Sequence, residues 1–172
     1  MCDVSVEVPP NPEDRGDLRA FFHDVYPRLV RSVAIAAGSV EDAEELVQEA
    51  FVRLVSRWEK VRRYEDPEAW VRSVAFRQLS NRRRKLRNGL RAVRLLGSVP
   101  PPAPQDHEVI DVYRALRTLP LPQRQVVVLH YLLGLDVASI AAELRIAPGT
   151  VKSRLSRGRA GLRPLLSEES HA

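Results

Sequence analysis

Leu135-Asp136-Val137-Ala138-Ser139-Ile140-Ala141-Ala142-Glu143-Leu144 is followed by Arg145-Ile146-Ala147-Pro148-Gly149 and then by Thr150-Val151-Lys152-Ser153-Arg154-Leu155-Ser156-Arg157-Gly158-Arg159. This is a short apolar-faced helix, a tight break and a second helix studded with Arg and Lys, the sequence form of a helix-turn-helix that reads duplex DNA. Asp136 is placed to cap the first helix, and Pro148, with its fixed φ, to open the second. Ala147 is a poor N-cap, so Pro148 and tertiary packing must define that helix end. Val151 and Leu155 repeat at i and i+4 and should face the core, which projects Lys152, Ser153, Ser156 and Arg157 outward to a major groove. Thr150 and the free amides of the first turn can hold a phosphate, and Arg154 and Arg159 suit flanking phosphates.

The rest of the chain shows what this unit is attached to. With 172 residues, 44% hydrophobic and 28% charged, it can bury one moderate core or two small ones, and it is neither disordered nor membrane-like in composition. Its net charge of +5 points to a polyanion, and the distribution of that charge is more informative than its sum. Ser32 to Val52 carries five acids (Glu41, Asp42, Glu44, Glu45, Glu49) and no base. Phe76 to Leu96 carries eight bases and no acid, and Arg145 to Arg163 six more, again without an acid. One acidic and two basic surfaces suit a protein that meets nucleic acid twice and another partner once.

Apolar periodicity of three and four residues runs through the chain and no strand-like alternation interrupts it, so the expected class is all-α. Leu18 to Ala34 read as a helical pair with Pro27 as a kink or boundary. Ser39 can cap a helix whose stripe is Ala43, Leu46, Val47, Ala50, Phe51, Leu54, Val55 and Trp58, leaving Glu41, Glu45, Gln48, Glu49 and Arg53 outside. Asp66-Pro67 starts another, with Trp70, Val71, Val74, Ala75 and Leu79 inward, running into Asn81-Arg82-Arg83-Arg84-Lys85. Gly97 to Gln105, with four prolines, is a linker between two small helical domains. Beyond it Val109, Val112, Leu116 and Leu119 form one helix, Val126 to Leu133 the next up to Gly134, and then comes the helix-turn-helix. The expected layout is a tail at 1–14, a first domain at 15–92, a linker at 93–107, a four-helix, winged-helix-like helix-turn-helix domain at 108–167 and a tail at 168–172.

A single cysteine, Cys2, excludes an internal disulfide framework and a cysteine-based metal cluster. The start of the chain is acidic where a secretory signal is basic and then apolar, and no run is long enough to span a bilayer, so an intracellular, cytoplasmic protein without membrane insertion is expected. An enzyme is not: there is no phosphate-binding glycine loop or metal-spaced cluster, and His23, His107, His130 and His171 are scattered. No cofactor is expected. A homodimeric helix-turn-helix regulator of duplex operators accounts for the reader but leaves the acidic face and the first basic helix without a task.

Asp42-Ala43-Glu44-Glu45-Leu46-Val47-Gln48-Glu49-Ala50-Phe51, Trp70-Val71-Arg72-Ser73-Val74-Ala75, the Pro-rich gap and Gly149-Thr150-Val151-Lys152-Ser153-Arg154 occur in that order. From about Leu18 to Leu166 the chain resembles the bacterial RNA polymerase sigma factors of the extracytoplasmic-function (ECF) subfamily of the sigma-70 family. The resemblance implies a sigma region 2 domain followed by a sigma region 4 domain, which together direct promoter-specific initiation. It implies docking of Asp42, Glu45, Gln48 and Glu49 on the clamp of the largest subunit of core RNA polymerase. It gives the loop with Arg62, Arg63 and Tyr64, and Arg77, Gln78 and Asn81 on the next helix, to capture of a melted downstream (−10) element, with Arg82, Arg83, Arg84 and Lys85 on phosphates. The helix-turn-helix then reads the upstream (−35) duplex. An anti-sigma factor covering the same surfaces is a further expected partner.

Overall fold

The structure is a computed structural model that describes residues 12–89 and 107–167, with side chains described for 16–85 and 112–164. The expected Pro-rich linker, the residues before Pro12, Cys2 among them, and those after Ser167 lie outside it. Among the described residues there are helices and no strands, in agreement with an all-α class.

The first unit holds α1 (Pro12–Ala37), α2 (Val40–Val55), the short α3 (Trp58–Val61) and α4 (Pro67–Gly89). α1 is a single 26-residue helix rather than a pair, with Pro27 inside it. Buried Val25 and Leu29 flank the proline, so packing on both sides outweighs the one backbone hydrogen bond that it removes. The helix also starts earlier than Gly16, at Pro12, where a missing N–H costs nothing. Gly38, at φ 80°, ends α1 and donates to the Ala34 carbonyl at 2.7 Å. Ser39 caps α2 as expected, its Oγ accepting from the Asp42 N–H at 3.2 Å, and Asp66 caps α4, its Oδ1 accepting from Ala69 at 2.8 Å.

Ala43, Leu46, Val47, Ala50, Phe51 and Leu54 of α2 are buried against Val25, Leu29 and Val33 of α1 and Val71, Val74, Ala75 and Leu79 of α4. Each large aliphatic side chain removed from water there contributes about 1.5–3 kcal/mol. Val55 departs from the expected stripe: α2 stops at that residue and leaves it 59% exposed, while Trp58, carried by α3, is buried. Trp70 is half-buried and packs against the same core.

The second unit holds α5 (His107–Thr118), α6 (Leu121–Val127), a wide-turn continuation at Val128–Leu132, α7 (Val137–Leu144) and α8 (Pro148–Ser167). Leu116, Leu119, Val126 to Leu129, Ile140, Leu144, Val151 and Leu155 form its interior, whereas Val112, expected inward, is 43% exposed. In the wide turn the Leu133 N–H reaches the Val128 carbonyl at 3.2 Å, five residues back, and His130 Nδ1 donates to the Leu135 carbonyl at 2.7 Å. The turn thus ends on Gly134, at φ 69°, and hands the chain to α7.

α8 lies close to its neighbours because Gly158 and Gly161 present no side chain at the contact. A Cβ at Gly158 would meet Val127 Cγ2 at 2.7 Å, and one at Gly161 would meet Leu119 Cδ2 at 2.8 Å. The two units are not separate spheres. α4 packs on α7 and α6, the end of α1 packs on α5 and α6, and the buried apolar residues of both units form one continuous cluster.

Candidate functional site

The helix-turn-helix of the second unit is built from its caps outward. Asp136 Oδ1 accepts from the Ser139 N–H at 2.7 Å and opens α7, and this backbone hydrogen bond holds the Asp136 carboxyl below its ordinary range. α7 ends on Arg145 at φ 55°: its N–H donates to the Ala142 carbonyl at 3.3 Å, and the Ile146 N–H to that of Ala141 at 3.0 Å. That is a Schellman closure with arginine at the left-handed position where glycine is usual. Val151 and Leu155 are buried, so Lys152, Ser153, Ser156 and Arg157 stand exposed on the opposite face, with Arg159 also exposed and Thr150 and Arg154 half-buried. Burial lowers the Arg154 guanidinium, and Ser153 Oγ donates back to the Thr150 carbonyl at 3.0 Å.

The acidic and basic helices of the first unit are joined to each other. Arg82 Nη1 donates to Glu45 Oε2 at 2.6 Å and Nη2 lies 3.4 Å from Asp42 Oδ1; the hydrogen bond to Glu45 holds the guanidinium above its ordinary value. Two acids expected to face a partner protein therefore share one arginine expected to face DNA. Glu49 and Gln48 lie exposed one turn further along α2, with the Gln48 amide donating to the Tyr26 hydroxyl at 3.4 Å.

Beside that acidic row is an apolar groove that helical periodicity alone does not announce. Leu18, Arg19 and Phe22 of α1 and Gln48, Phe51, Val52 and Val55 of α2 line it, and Val52 is 71% exposed. Phe22 stacks on Tyr26 at 4.7 Å between ring centroids and meets Phe51 edge-on at 5.0 Å. The only sequence signal was that Val52 falls off the buried stripe and that Ser56 follows Val55, where α2 ends. An exposed apolar strip of this kind, next to the exposed polar face of α2, has the makeup of a protein-binding surface.

The loop before α4 carries Arg62, drawn to Asp17 at 3.5 Å and Glu59 at 3.4 Å, then exposed Arg63 and Tyr64. On α4, Asn81, Arg83, Arg84 and Lys85 are exposed. Arg77 folds back on its own helix, Nε donating to the Ser73 carbonyl at 2.9 Å, and burial together with nearby Arg145 and Arg53 lowers its guanidinium. Gln78 is turned inward: both polar atoms of its amide are out of solvent without a hydrogen-bond partner among the described residues. Both residues are half-buried rather than fully exposed, and Arg77 lies within electrostatic reach of Arg145 and Glu143 of the second unit.

The contact between the two units centres on Arg72, which the motif reading passed over. Arg72 Nε donates to Glu143 Oε2 at 3.0 Å and Nη2 bonds Glu143 Oε1, a two-pronged pair with both side chains buried; Asp66 and Glu68 each come within 3.8 Å. Burial alone lowers the Arg72 guanidinium, but Glu143 and the two further acids more than offset it and hold it above its ordinary value. Burial pushes the Glu143 carboxyl up, against the pull of Arg72.

Among the described residues no group of His, Cys, Asp and Glu is placed to hold a metal ion, and no helix is long and apolar enough to cross a membrane. The Sigma-70 region 2 family matches residues 21–89 and the Sigma-70 region 4 family residues 110–162. The chain is 32% identical over 156 residues to the ECF RNA polymerase sigma factor SigE of Mycolicibacterium smegmatis, covering 83% of this chain and 59% of that protein. It is 32% identical over 157 residues to the ECF RNA polymerase sigma factor SigM of Mycobacterium tuberculosis, covering 88% and 79%. In fold it matches the sigma factor RpoE of Bartonella quintana, solved in complex with the anti-sigma factor NepR, with a TM-score of 0.72 and 24% identity over 88% of this chain and 97% of that one. With an acidic, apolar-edged helix, a basic helix and a helix-turn-helix in the order these families share, the chain belongs to the ECF sigma factors of the sigma-70 family, the proteins that direct RNA polymerase to promoters.

Proposed function

We propose that this chain binds core RNA polymerase through α2, holds the melted downstream element with the Arg62–Tyr64 loop and α4, and reads the upstream duplex with α8. The observation that carries this division is the separation of chemistries: α2 presents Glu49, Gln48 and an apolar groove, whereas α8 presents Lys152, Ser153, Ser156 and Arg157 to solvent. Carboxylates around an apolar strip complement a basic, apolar-tipped protein surface such as the clamp of the largest subunit. Lys and Arg beside small hydroxyl side chains on an exposed helix suit guanine edges and phosphates in a major groove.

Asn81, Arg83, Arg84 and Lys85 supply cations along one end of α4, where a single strand's backbone can run, and Tyr64 offers a stacking surface at the other. In this reading the chain performs no catalysis and needs no cofactor; bond formation belongs to the polymerase. It works in the cytoplasm, without membrane insertion. An anti-sigma factor is its regulator, in keeping with the relative that crystallised with one.

Glu45→Lys combined with Glu49→Lys is expected to weaken binding to purified core polymerase at least 100-fold and to abolish run-off transcription. Arg157→Ala should leave polymerase binding unchanged and weaken upstream duplex binding about 5- to 150-fold, the equivalent of a lost base contact. Equal losses of both activities in both variants would refute the assignment, as would a stable homodimer that binds duplex operator without polymerase.

A further inference from the structure

Two neighbouring residues of α6 meet the first unit in opposite ways. The buried Gln125 amide donates to the Phe76 carbonyl at 3.0 Å and accepts from Ser80 Oγ at 2.9 Å, so its nitrogen and its oxygen are both bonded. Arg124, beside it and only 4% exposed, has no such partners. It takes part in no ion pair among the described residues, and its Nε is out of solvent without a hydrogen-bond partner. The charges that act on it are cations, Arg83 of α4 and Arg117 of α5, and burial followed by those two brings its guanidinium down to about 10. Arg83 and Arg117 are exposed, and neither has a carboxylate partner among the described residues. The arginines of α5 and α6 meet over the turn that ends α1. Gly38 has no side chain there, and a Cβ on it would stand 3.5 Å from Arg124 Nη1 and 3.9 Å from Arg117 Nε, in contact with both.

We infer that Arg83, Arg117 and Arg124 form a binding site for a small phosphate-class oxyanion, seated over Gly38 where α1, α4, α5 and α6 meet. A buried guanidinium without a counter-ion is costly, and an anion removes that cost by giving it both an acceptor and a charge. The chain itself supplies no such group. The C-terminal carbonyls of α1 amount to about half a negative charge against three cations, and neither Arg117 nor Arg124 donates to them. Shape decides the class of ion: a tetrahedral dianion has oxygens for guanidinium forks arriving from three directions, whereas a carboxylate has two oxygens in one plane. Burial decides its size. Arg124 is the floor and the exposed Arg83 and Arg117 are the rim, so an ion of a few atoms reaches what a nucleic-acid backbone, held off by its own width, does not. Because the three arginines come from both units, the bound ion ties α4 to α5 and α6 and stabilises the chain in proportion to its concentration. Only Arg83 is shared with the DNA surface proposed above, and the site does not rest on that reading.

The test is titration calorimetry and thermal melting of the full chain in sodium phosphate, with ionic strength held constant by sodium chloride. Phosphate at about ten times its Kd should raise the melting temperature by about 3–6 °C, sulfate should act likewise, and chloride should not. Arg124→Met should abolish the phosphate effect and raise the melting temperature without phosphate, since the unpaired charge goes and the side-chain bulk stays. Arg117→Gln, at the exposed rim, should weaken phosphate binding about fivefold or more with unchanged helical circular dichroism. Arg57→Gln, the same charge change at another exposed position, should leave it unaltered. No phosphate effect in the parent, an effect that survives Arg124→Met, or an equal loss in Arg57→Gln would each overturn the site. If Arg124→Met melts below the parent, Arg117→Gln decides: phosphate affinity equal to the parent's would make Arg124 a purely structural residue. Methyl phosphate distinguishes the sources of the ion, binding as tightly as inorganic phosphate if the site takes phosphomonoesters and more weakly if it takes the free ion. Single-stranded DNA whose affinity falls in Arg124→Met, with no effect of phosphate on the parent, would place Arg124 on the nucleic-acid surface and overturn the small-ion site.

Discussion

α4 and α8 look alike in sequence, each a helix with a run of bases, and α4 has one acid, Glu68, in its first turn while α8 has none, yet the fold treats them differently. On α4, Arg72 is paired with Glu143, Arg77 is folded onto Ser73 and Arg82 is shared between Asp42 and Glu45. On α8, Lys152, Arg157 and Arg159 are exposed and make no ion pair among the described residues. A basic stretch therefore does not by itself amount to a ready nucleic-acid surface. What decides is whether acids from elsewhere in the chain pair with it: Asp42 and Glu45 of α2 and Glu143 of α7 pair with arginines of α4, whereas α7 packs on α8 without pairing with Lys152, Arg157 or Arg159. The basic face of α8 is presented in the free chain, and that of α4 is partly occupied by the protein itself.

The comparison fails most severely if α8 loses its seat. Gly158→Val forces side-chain atoms into Val127 and toward Gln123, and overpacking of this kind costs about 2 kcal/mol, or about 4–8 °C in melting temperature for a chain of this size. A melting curve that matches the parent would mean that α8 does not depend on this close approach. A smaller effect separates the two helices directly. Lys152→Ala should weaken binding of upstream duplex and reduce its salt slope by about 0.9, the loss of one phosphate neutralised. Arg82→Ala should cost less than about 1 kcal/mol in stability, since its ion pairs are more than a third exposed. In the full chain Arg82→Ala should change the salt slope for downstream DNA by less than Lys152→Ala changes it for upstream DNA, because Arg82 must first leave Glu45. Equal slopes for the two variants would show that the α4 arginines are as free as those of α8.

Much of this arrangement was legible before any coordinates. The all-α class, the caps at Ser39, Asp66 and Asp136, the burial of Val151 and Leu155 and the outward face of α8 all follow from short-range rules that depend on residues within a turn of each other. The misreadings have the opposite character. Pro27 did not divide α1, because the cost of one hydrogen bond is decided by packing from α2 and α4 that local sequence does not contain. Val55 and Val112 fit a helical period and still face solvent, since a period states which residues share a face and not how far the neighbouring helix extends. Arg72 and Gln125 sat unnoticed within segments chosen for other reasons; their partners are 71 and 49 residues away, and a pair of opposite charges at such separation has no sequence signature.

Arg145 is the point where α7, α8 and α4 come together, and the smallest expected effect concerns it. Its left-handed backbone costs an L-residue about 1–2 kcal/mol, which glycine avoids, while the extra freedom of glycine in the unfolded chain takes back about 0.4–1 kcal/mol. Arg145 also pushes the Arg77 guanidinium down across the interface, so its removal relieves a like-charge contact as well. Arg145→Gly should therefore raise stability by about 0.5–1 kcal/mol, visible as a rise of about 1–4 °C in melting temperature, and should narrow rather than broaden the distance distribution between spin labels at Arg31→Cys and Ala160→Cys in a Cys2→Ser background. The second readout separates two origins of the same stabilisation. Relief of backbone strain alone raises the melting temperature and leaves the distance untouched, whereas relief of Arg77 tightens the seat of the second unit on α4. A lower melting temperature would mean that the arginine side chain supplies a contact worth more than the strain it imposes, and the helix-turn-helix would then be tied to α4 by attraction at this corner rather than held against repulsion.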